Sequence, residues 1–210
     1  MSKPVHLYVL EGMADWEVGH AIAELNTASF NPDGRHQVVT VGATADAIRS
    51  MGGVTIVPDT TLAELEPRAS AMLILPGSGG WDPSGSGGGQ AAALALAGRF
   101  LAEGVPVAAI CGATLGLAHA GLLDSRRHTS SHRGYLAATG YAGGDLYEDA
   151  RVVVDGDLIT AGPTEPLEFA REILRRLEVY PPATLDAWYG LYRTGEASYY
   201  FALAGQPQRA

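Results

Sequence analysis

Residues 105–123 read VPVAAICGATLGLAHAGLL and hold the one cysteine of a 210-residue chain. The segment arrives as β-branched and small apolar residues and leaves with apolar positions at helical spacing. This predicts a buried strand, a sharp turn at Cys111 and then a helix. Ala109 and Ala113 stand two residues to either side of the cysteine, and Gly112 follows it directly. Small residues at those offsets let a strand turn abruptly into a helix while the central side chain stays exposed, the mechanical requirement of a nucleophile elbow. The positive end of the helix beneath the sulfur is expected to favour thiolate over thiol and so lower its pKa. A free cysteine also packs as a small hydrophobe and is among the most often buried residue types. The stretch alone therefore leaves both filler and nucleophile open.

The same strand-then-helix alternation extends outward. PVHLYVL (4–10) reads as a buried first strand. DWEVGHAIAELNTA (15–28) reads as a helix with Trp16, Val18, Ala21, Ile22 and Leu25 at helical spacing and Asp15 as its N-cap. HQVVTVG (36–42) predicts a second strand, GVTIVPD (53–59) a short extended piece, and TTLAELE (60–66) a short helix. AMLILPG (71–77) predicts a central strand, and GQAAALALAGRFLAEG (89–104) a helix ending at Glu103-Gly104. Beyond the elbow, VVVDGDLIT (152–160) places Asp155-Gly156 between two apolar runs, a hairpin signal. TEPLEFAREILRRLEV (164–179) is an amphipathic helix with Thr164 as N-cap and Pro166 in its first turn. Repeated alternation favours a mostly parallel sheet covered on both faces.

PGSGGWDPSGSGGGQ (76–90) is nearly all Gly, Ser and Pro and follows a strand. It is expected at the carboxyl edge of the sheet, where open α/β folds bind ligands. PPATLDAWYGLYRTGEASYY (181–200) reads as an extra helix whose aromatic stretch includes Trp188, Tyr189, Tyr192, Tyr199, Tyr200 and Phe201. The expected organisation is one α/β domain over 1–180 and an aromatic helical extension over 181–210, packed on that domain or at a subunit interface.

Composition narrows the function classes. A hydrophobic content of 47% in 210 residues supports one substantial core. A formal charge of −9, with no basic cluster beyond Arg126-Arg127 and Arg175-Arg176, argues against a nucleic-acid surface. The apolar runs are strand-sized, so no membrane span is expected. The start MSKPVHLYVLEG lacks a basic region followed by a long apolar segment, and one cysteine cannot form an intrachain disulfide. Cytoplasm, where a thiol stays reduced, is the expected compartment.

Three ordered motifs carry a resemblance: EGMADWE at 11–17, LPGSGG at 75–80, and AAICGATLGLAHAGLL at 108–123 followed by RRHTSSH. Together they resemble the DJ-1/PfpI family, the flavodoxin-like branch of the class I glutamine amidotransferase-like superfamily, over about residues 4–178. The resemblance implies a flavodoxin-like fold, a homodimer, and a glutamate at the start of the first helix pointing at the cysteine, here Glu17. A carboxyl held beside a thiolate and buried has a raised pKa and can shuttle a proton. The alternative for an acid in a first helical turn is simple complementation of the helix dipole. The family's two adjacent glycines after the central strand are matched by Gly77 and Ser78. Amides of Ser78 and Gly112 could form an oxyanion hole with Gly77 beside them. Better-known members place a histidine near the cysteine after the elbow helix. Ungapped counting puts Ser131 there, with His132 one place later and on the other face of an extended segment. A one-residue loop shift would bring His132 in instead, and a partner-chain residue is the third candidate. His128 and Thr114 are expected to support the site from behind. His119 is read as helix packing.

Missing residues exclude several chemistries. No histidine follows His132 and no His-x-Glu occurs, so a complete glutaminase triad is not expected. Gly112 occupies the place of the histidine that follows cysteine in PfpI-type proteases. HTSSH at 128–132 lacks a neighbouring carboxylate or second cysteine, so no metal site is expected. The glycine-rich loop has neither a P-loop lysine nor dinucleotide spacing, so no ATP, NAD or other cofactor is expected. Three readings remain: a cysteine hydrolase or lyase acting on a small carbonyl, amide or isocyanide-like substrate, a stress sensor oxidised at Cys111 to sulfinate, or a structural relic of the fold with Cys111 buried and unreactive.

Overall fold

The structure is a computed structural model that describes residues 2–82 and 90–205. The second half of the glycine-rich segment, 83–89, lies outside the described residues. β1 (Val5–Tyr8) leads to α1 (Asp15–Thr27), then β2 (Val38–Gly42), β3 (Ile48–Arg49), β4 (Thr55–Ile56), β5 (Thr60–Thr61) and β6 (Met72–Leu75). α2 (Ala91–Ala102), β7 (Val107–Ile110), α3 (Gly112–His119) and α4 (Arg133–Ala137) follow. β8 (Val152–Asp155), β9 (Leu158–Ala161), α5 (Pro166–Arg176), α6 (Pro182–Thr194) and α7 (Ala197–Leu203) complete the order.

Seven strands form one sheet in the order β5-β2-β1-β6-β7-β9-β8, parallel throughout except for the β8–β9 hairpin. Every residue of β1, β6, β7 and β9 is buried, as a sheet covered on both faces requires. α1 packs along α5, and α5 also crosses β7, β8 and β9. α2 and α3 approach one another where Leu94 meets Gly116. The hairpin falls where Asp155-Gly156 predicted it, but Asp155 pairs with Leu158 and the two-residue turn is Gly156–Asp157, with Gly156 at φ +59°. Order, sheet and helical layers together are the flavodoxin-like α/β architecture.

Several local expectations need correction. Asp15 is the first helical residue of α1 and Ala14 stands at the N-cap. The Asp15 carboxylate instead accepts the Gly52 amide at 2.6 Å, tying the β3–β4 ribbon to the helix. That electrostatically better partner removes Asp15 from the capping role. Glu165, not Thr164, precedes α5. TTLAELE is two residues of β5 and a single 3₁₀ turn, Leu62–Glu64. Glu64 accepts from the Thr61 amide and hydroxyl, each at 3.1 Å. This reciprocal start resembles a helix N-terminus, but the second turn, Pro67–Ala69, opens on a proline. The aromatic segment is two helices, broken where Gly195 takes φ +73°. Trp188 of α6 is buried, and its indole donates to the buried Glu24 carboxylate at 3.0 Å.

Candidate active site

Three strand ends converge at the carboxyl edge. β7 runs into Cys111, whose amide donates to the Ala161 carbonyl at 3.0 Å and so continues the pairing with β9. The next peptide must leave the sheet for α3, and Cys111 accommodates this with φ +57°, ψ −122°. Such backbone is sparsely populated for an L-residue and costs roughly 1–3 kcal/mol. The Thr114 hydroxyl donates to the Cys111 carbonyl at 2.6 Å and meets the Ser130 hydroxyl at 2.6 Å. These contacts pin the strained turn from behind. Because glycine takes positive φ freely, Cys111→Gly is expected to raise the melting temperature by about 2–4 °C, a gain of about 1 kcal/mol after unfolded-state entropy is counted. Cys111→Ala, which keeps a Cβ, lacks that gain. A glycine variant melting below the alanine variant would refute strain at the elbow.

The EGMADWE and LPGSGG motifs are laced together. Ala14 donates to the Gly77 carbonyl at 2.9 Å, the Ser78 hydroxyl to the Glu11 carbonyl at 2.8 Å, and the Gly77 amide to Glu17 Oε2 at 2.6 Å. Gly77 is accordingly not an oxyanion donor, because its one N–H is committed to Glu17. Its task is steric. A Cβ there would lie 2.6 Å from Glu17 Oε2 and 2.8 Å from the Cys111 Cβ. Gly112 permits a second close approach, since a Cβ on it would lie 2.5 Å from the Ser78 carbonyl oxygen and 3.1 Å from the Ser78 nitrogen. The Ser78 and Gly112 backbones therefore border the same point beside the sulfur. Trp81, 1% exposed, donates to the Pro76 carbonyl at 2.7 Å and holds this loop against α3.

The electrostatics correct the expected thiolate. Burial, then the Glu17 charge and a hydrogen bond with Glu17, push the Cys111 thiol up to about 12. The Gly112 amide and the Ser131 side chain pull it down but do not prevail. Desolvation and an adjacent anion thus outweigh the helix end. Glu17, 1% exposed, is itself raised by burial, against lowering by the Gly77 amide and Cys111. Each group disfavours the other's charge, so the two are not ionised together near neutrality. A proton on Glu17 removes its charge from beside the sulfur and leaves the Gly112 and Ser131 donors to favour the sulfur anion. A reactive sulfur here would come from moving the proton to Glu17, not from a resting low pKa.

The structure brings Ser131, rather than His132, to the sulfur. His132 is exposed and caps α4, its Nδ1 accepting the Tyr135 amide at 3.1 Å. His128 also lies elsewhere. Its buried ring bonds the Arg126 carbonyl at 2.7 Å and the Tyr141 hydroxyl at 2.9 Å, with its edge against Tyr147. Thr114 supports the elbow as described, and with it Ser130, which sequence reasoning did not single out. A second omission is Tyr135, half-buried in the wall of the site. No sequence motif marks it, although a helix opening at His132 would have pointed to it.

The resulting pocket measures about 230 Å³ and is lined by Glu17, Ser78, Cys111, Gly112, Tyr135 and Pro163, among others. Trp16 and Met51, both more than half exposed, stand at its mouth.

Residues 3–176 match the DJ-1/PfpI family. The chain is 42% identical over 206 residues to "Uncharacterized protease YoaZ" of Bacillus subtilis (strain 168), covering 96% of each chain. It is 30% identical over 148 residues to "Glutathione-independent glyoxalase DJR-1.2" of Caenorhabditis elegans, covering 68% of this chain and 74% of that one. The crystal structure of the thiJ/pfpI family protein from Bacillus anthracis superposes with a TM-score of 0.90 at 39% identity, covering 100% of this chain and 99% of the other. With a matching family over nearly the whole chain and the same fold in a close relative, the protein belongs to the DJ-1/PfpI family.

Proposed function

We propose that the protein is a cysteine-dependent hydrolase or lyase that adds the Cys111 sulfur to an electrophilic carbon of a small substrate: a carbonyl compound, an amide or an isocyanide-like molecule. The observation that carries this reading is the Glu17 carboxyl, held by the Gly77 amide, brought against the Cys111 sulfur in the wall of the pocket. On attack at a carbonyl, the sulfur electron pair forms the C–S bond and the C=O π pair moves onto oxygen. The thiol proton passes to Glu17, and the amides of Ser78 and Gly112 hold the developing oxyanion. With a 2-oxoaldehyde, Glu17 would return that proton to the oxyanion, giving a hemithioacetal, and then, as the carboxylate, move the C–H proton of the attacked carbon to its neighbour. Water then cleaves the thioester to a 2-hydroxy acid and restores the thiol. One relative is named a glyoxalase, and this route is the glyoxalase-type outcome.

A pocket of about 230 Å³ falls below the range of roughly 300–1,000 Å³ usual for drug-sized ligands, which favours substrates of a few heavy atoms over a peptide. Gly112 in place of a histidine after the cysteine points the same way, whatever a relative's name says. Small dicarbonyls, amides and isocyanides assayed with the wild type, with Cys111→Ser as the blank, are expected to reveal one class that is turned over only by the cysteine enzyme. Silence of the wild type across all three classes would sink the proposal.

A further inference from the structure

We propose that the Tyr135 hydroxyl is the substrate-binding donor of this site, holding an oxygen on the carbon next to the one attacked, and that His132 serves by positioning it. The inference rests on the carbonyl reading above and names a residue that reading does not use. Among the described pocket residues the side chains with polar groups, besides Cys111, are Glu17, Ser78, Tyr135 and Trp16. Glu17 is committed to the Gly77 amide and to the sulfur. Ser78 donates to the Glu11 carbonyl and accepts from the Gly80 amide at 3.1 Å. Trp16 is 52% exposed at the mouth. Ser131 serves the sulfur itself. This leaves Tyr135, half-buried in the wall and within electrostatic reach of both Cys111 and Glu17, as the uncommitted side-chain donor among the residues lining the pocket. Burial first, then the charges of Cys111, Asp82 and Glu17, raise its phenol, so it keeps its proton as a donor through the neutral range.

The geometry gives His132 a role through this residue. Tyr135 lies in the first turn of α4, its amide bonded to His132 Nδ1 and to the His132 carbonyl, both at 3.1 Å. The two rings are also tilted against each other with centroids 6.1 Å apart. His132 fixes where the short helix starts and hence where the phenol points.

The test uses reversible addition and needs no turnover. An aldehyde that adds to the sulfur forms a hemithioacetal and protects Cys111 from iodoacetamide, which is read by intact mass. The probes are 2-oxopropanal, which carries the second oxygen, and propanal, which does not. Tyr135→Phe is expected to raise the half-protecting concentration of 2-oxopropanal by about 10-fold, the loss of one hydrogen bond, and to leave that of propanal within about twofold. His132→Ala should act in the same direction with smaller size, and His132→Asn, an alternative capping residue, should restore the wild-type value. Tyr200→Phe, exposed on α7 and away from the pocket, should change neither probe. Equal effects of Tyr135→Phe on the two aldehydes, no effect on either, or the same selective loss in Tyr200→Phe would overturn the assignment. Failure of His132→Asn to rescue would overturn the positioning role. A wild type that 2-oxopropanal protects but does not turn over would remove the glyoxalase-type route while leaving Tyr135 in place, whereas absence of protection would remove both.

Discussion

Gly77→Ala is expected to reduce turnover by about 10²–10⁴-fold, the range general acid–base catalysis contributes, while the fold still assembles. The added Cβ would fall 2.6 and 2.9 Å from the two Glu17 carboxylate oxygens and 2.8 Å from the Cys111 Cβ. Neither neighbour can yield cheaply. Glu17 is 1% exposed and its carboxylate is held by the Gly77 amide, and the Cys111 Cβ hangs on backbone already held at positive φ. Whichever moves, the Gly77 amide loses Glu17 or the sulfur loses its alignment with the carboxyl. Overpacking of this kind costs about 1–3 kcal/mol, so the melting temperature should fall by a few degrees and the variant should remain folded at room temperature. The check is kcat/KM on whichever substrate the wild type accepts, measured beside circular dichroism melts. An alanine variant with wild-type kcat/KM would show that Glu17 and Cys111 need not sit as close as the structure places them.

The position of Gly77 also shows where sequence stops being informative. Strand and helix periodicity, the Asp155-Gly156 turn signal and small residues about Cys111 are local patterns, and local physics sufficed to place the sheet, its covering helices and the elbow. Cap positions were less legible. Asp15 has the right chemistry for an N-cap, but a backbone amide 37 residues away competes for its carboxylate and wins. The site depends almost wholly on such distant pairings. That Gly77 spends its amide on Glu17 rather than on an oxyanion follows from a contact across 60 residues. Whether Ser131 or His132 faces the sulfur depends on a single residue of register, which flips every side chain of an extended segment. The thiol pKa was misjudged for a related reason. The helix end is visible in sequence, but the depth of burial and the adjacent charge that overcome it are properties of the packed site.

Glu17→Gln is expected to cut turnover by about 10²–10⁴-fold and yet leave Cys111 open to alkylation, and the pH dependence of that alkylation tests the shared proton. In the wild type the sulfur is an anion only while Glu17 holds the proton. The fraction of pairs in that form is constant once the pair carries its single charge. The rate of reaction with iodoacetamide should therefore be nearly flat through the neutral range and climb again only as pH approaches about 12, where the second proton leaves. Glutamine keeps an oxygen for the Gly77 amide but carries no charge and accepts no proton. Cys111 then titrates alone, giving one sigmoid whose midpoint lies below about 12 because the Glu17 charge that raised it is gone. Stability should follow the same logic with a definite sign. Burial raises the folded pKa of Glu17 above its ordinary 4.5, so its contribution is fully present below that value and is lost as pH rises through the folded pKa. The glutamine variant suffers no such loss, so it should melt above the wild type at pH 8 and draw level with it near pH 4. If the wild type instead gave a single sigmoid near the unperturbed thiol value of about 8.5, coincident with that of the glutamine variant, the two groups would be titrating independently and Glu17 would have no claim on the cysteine's proton.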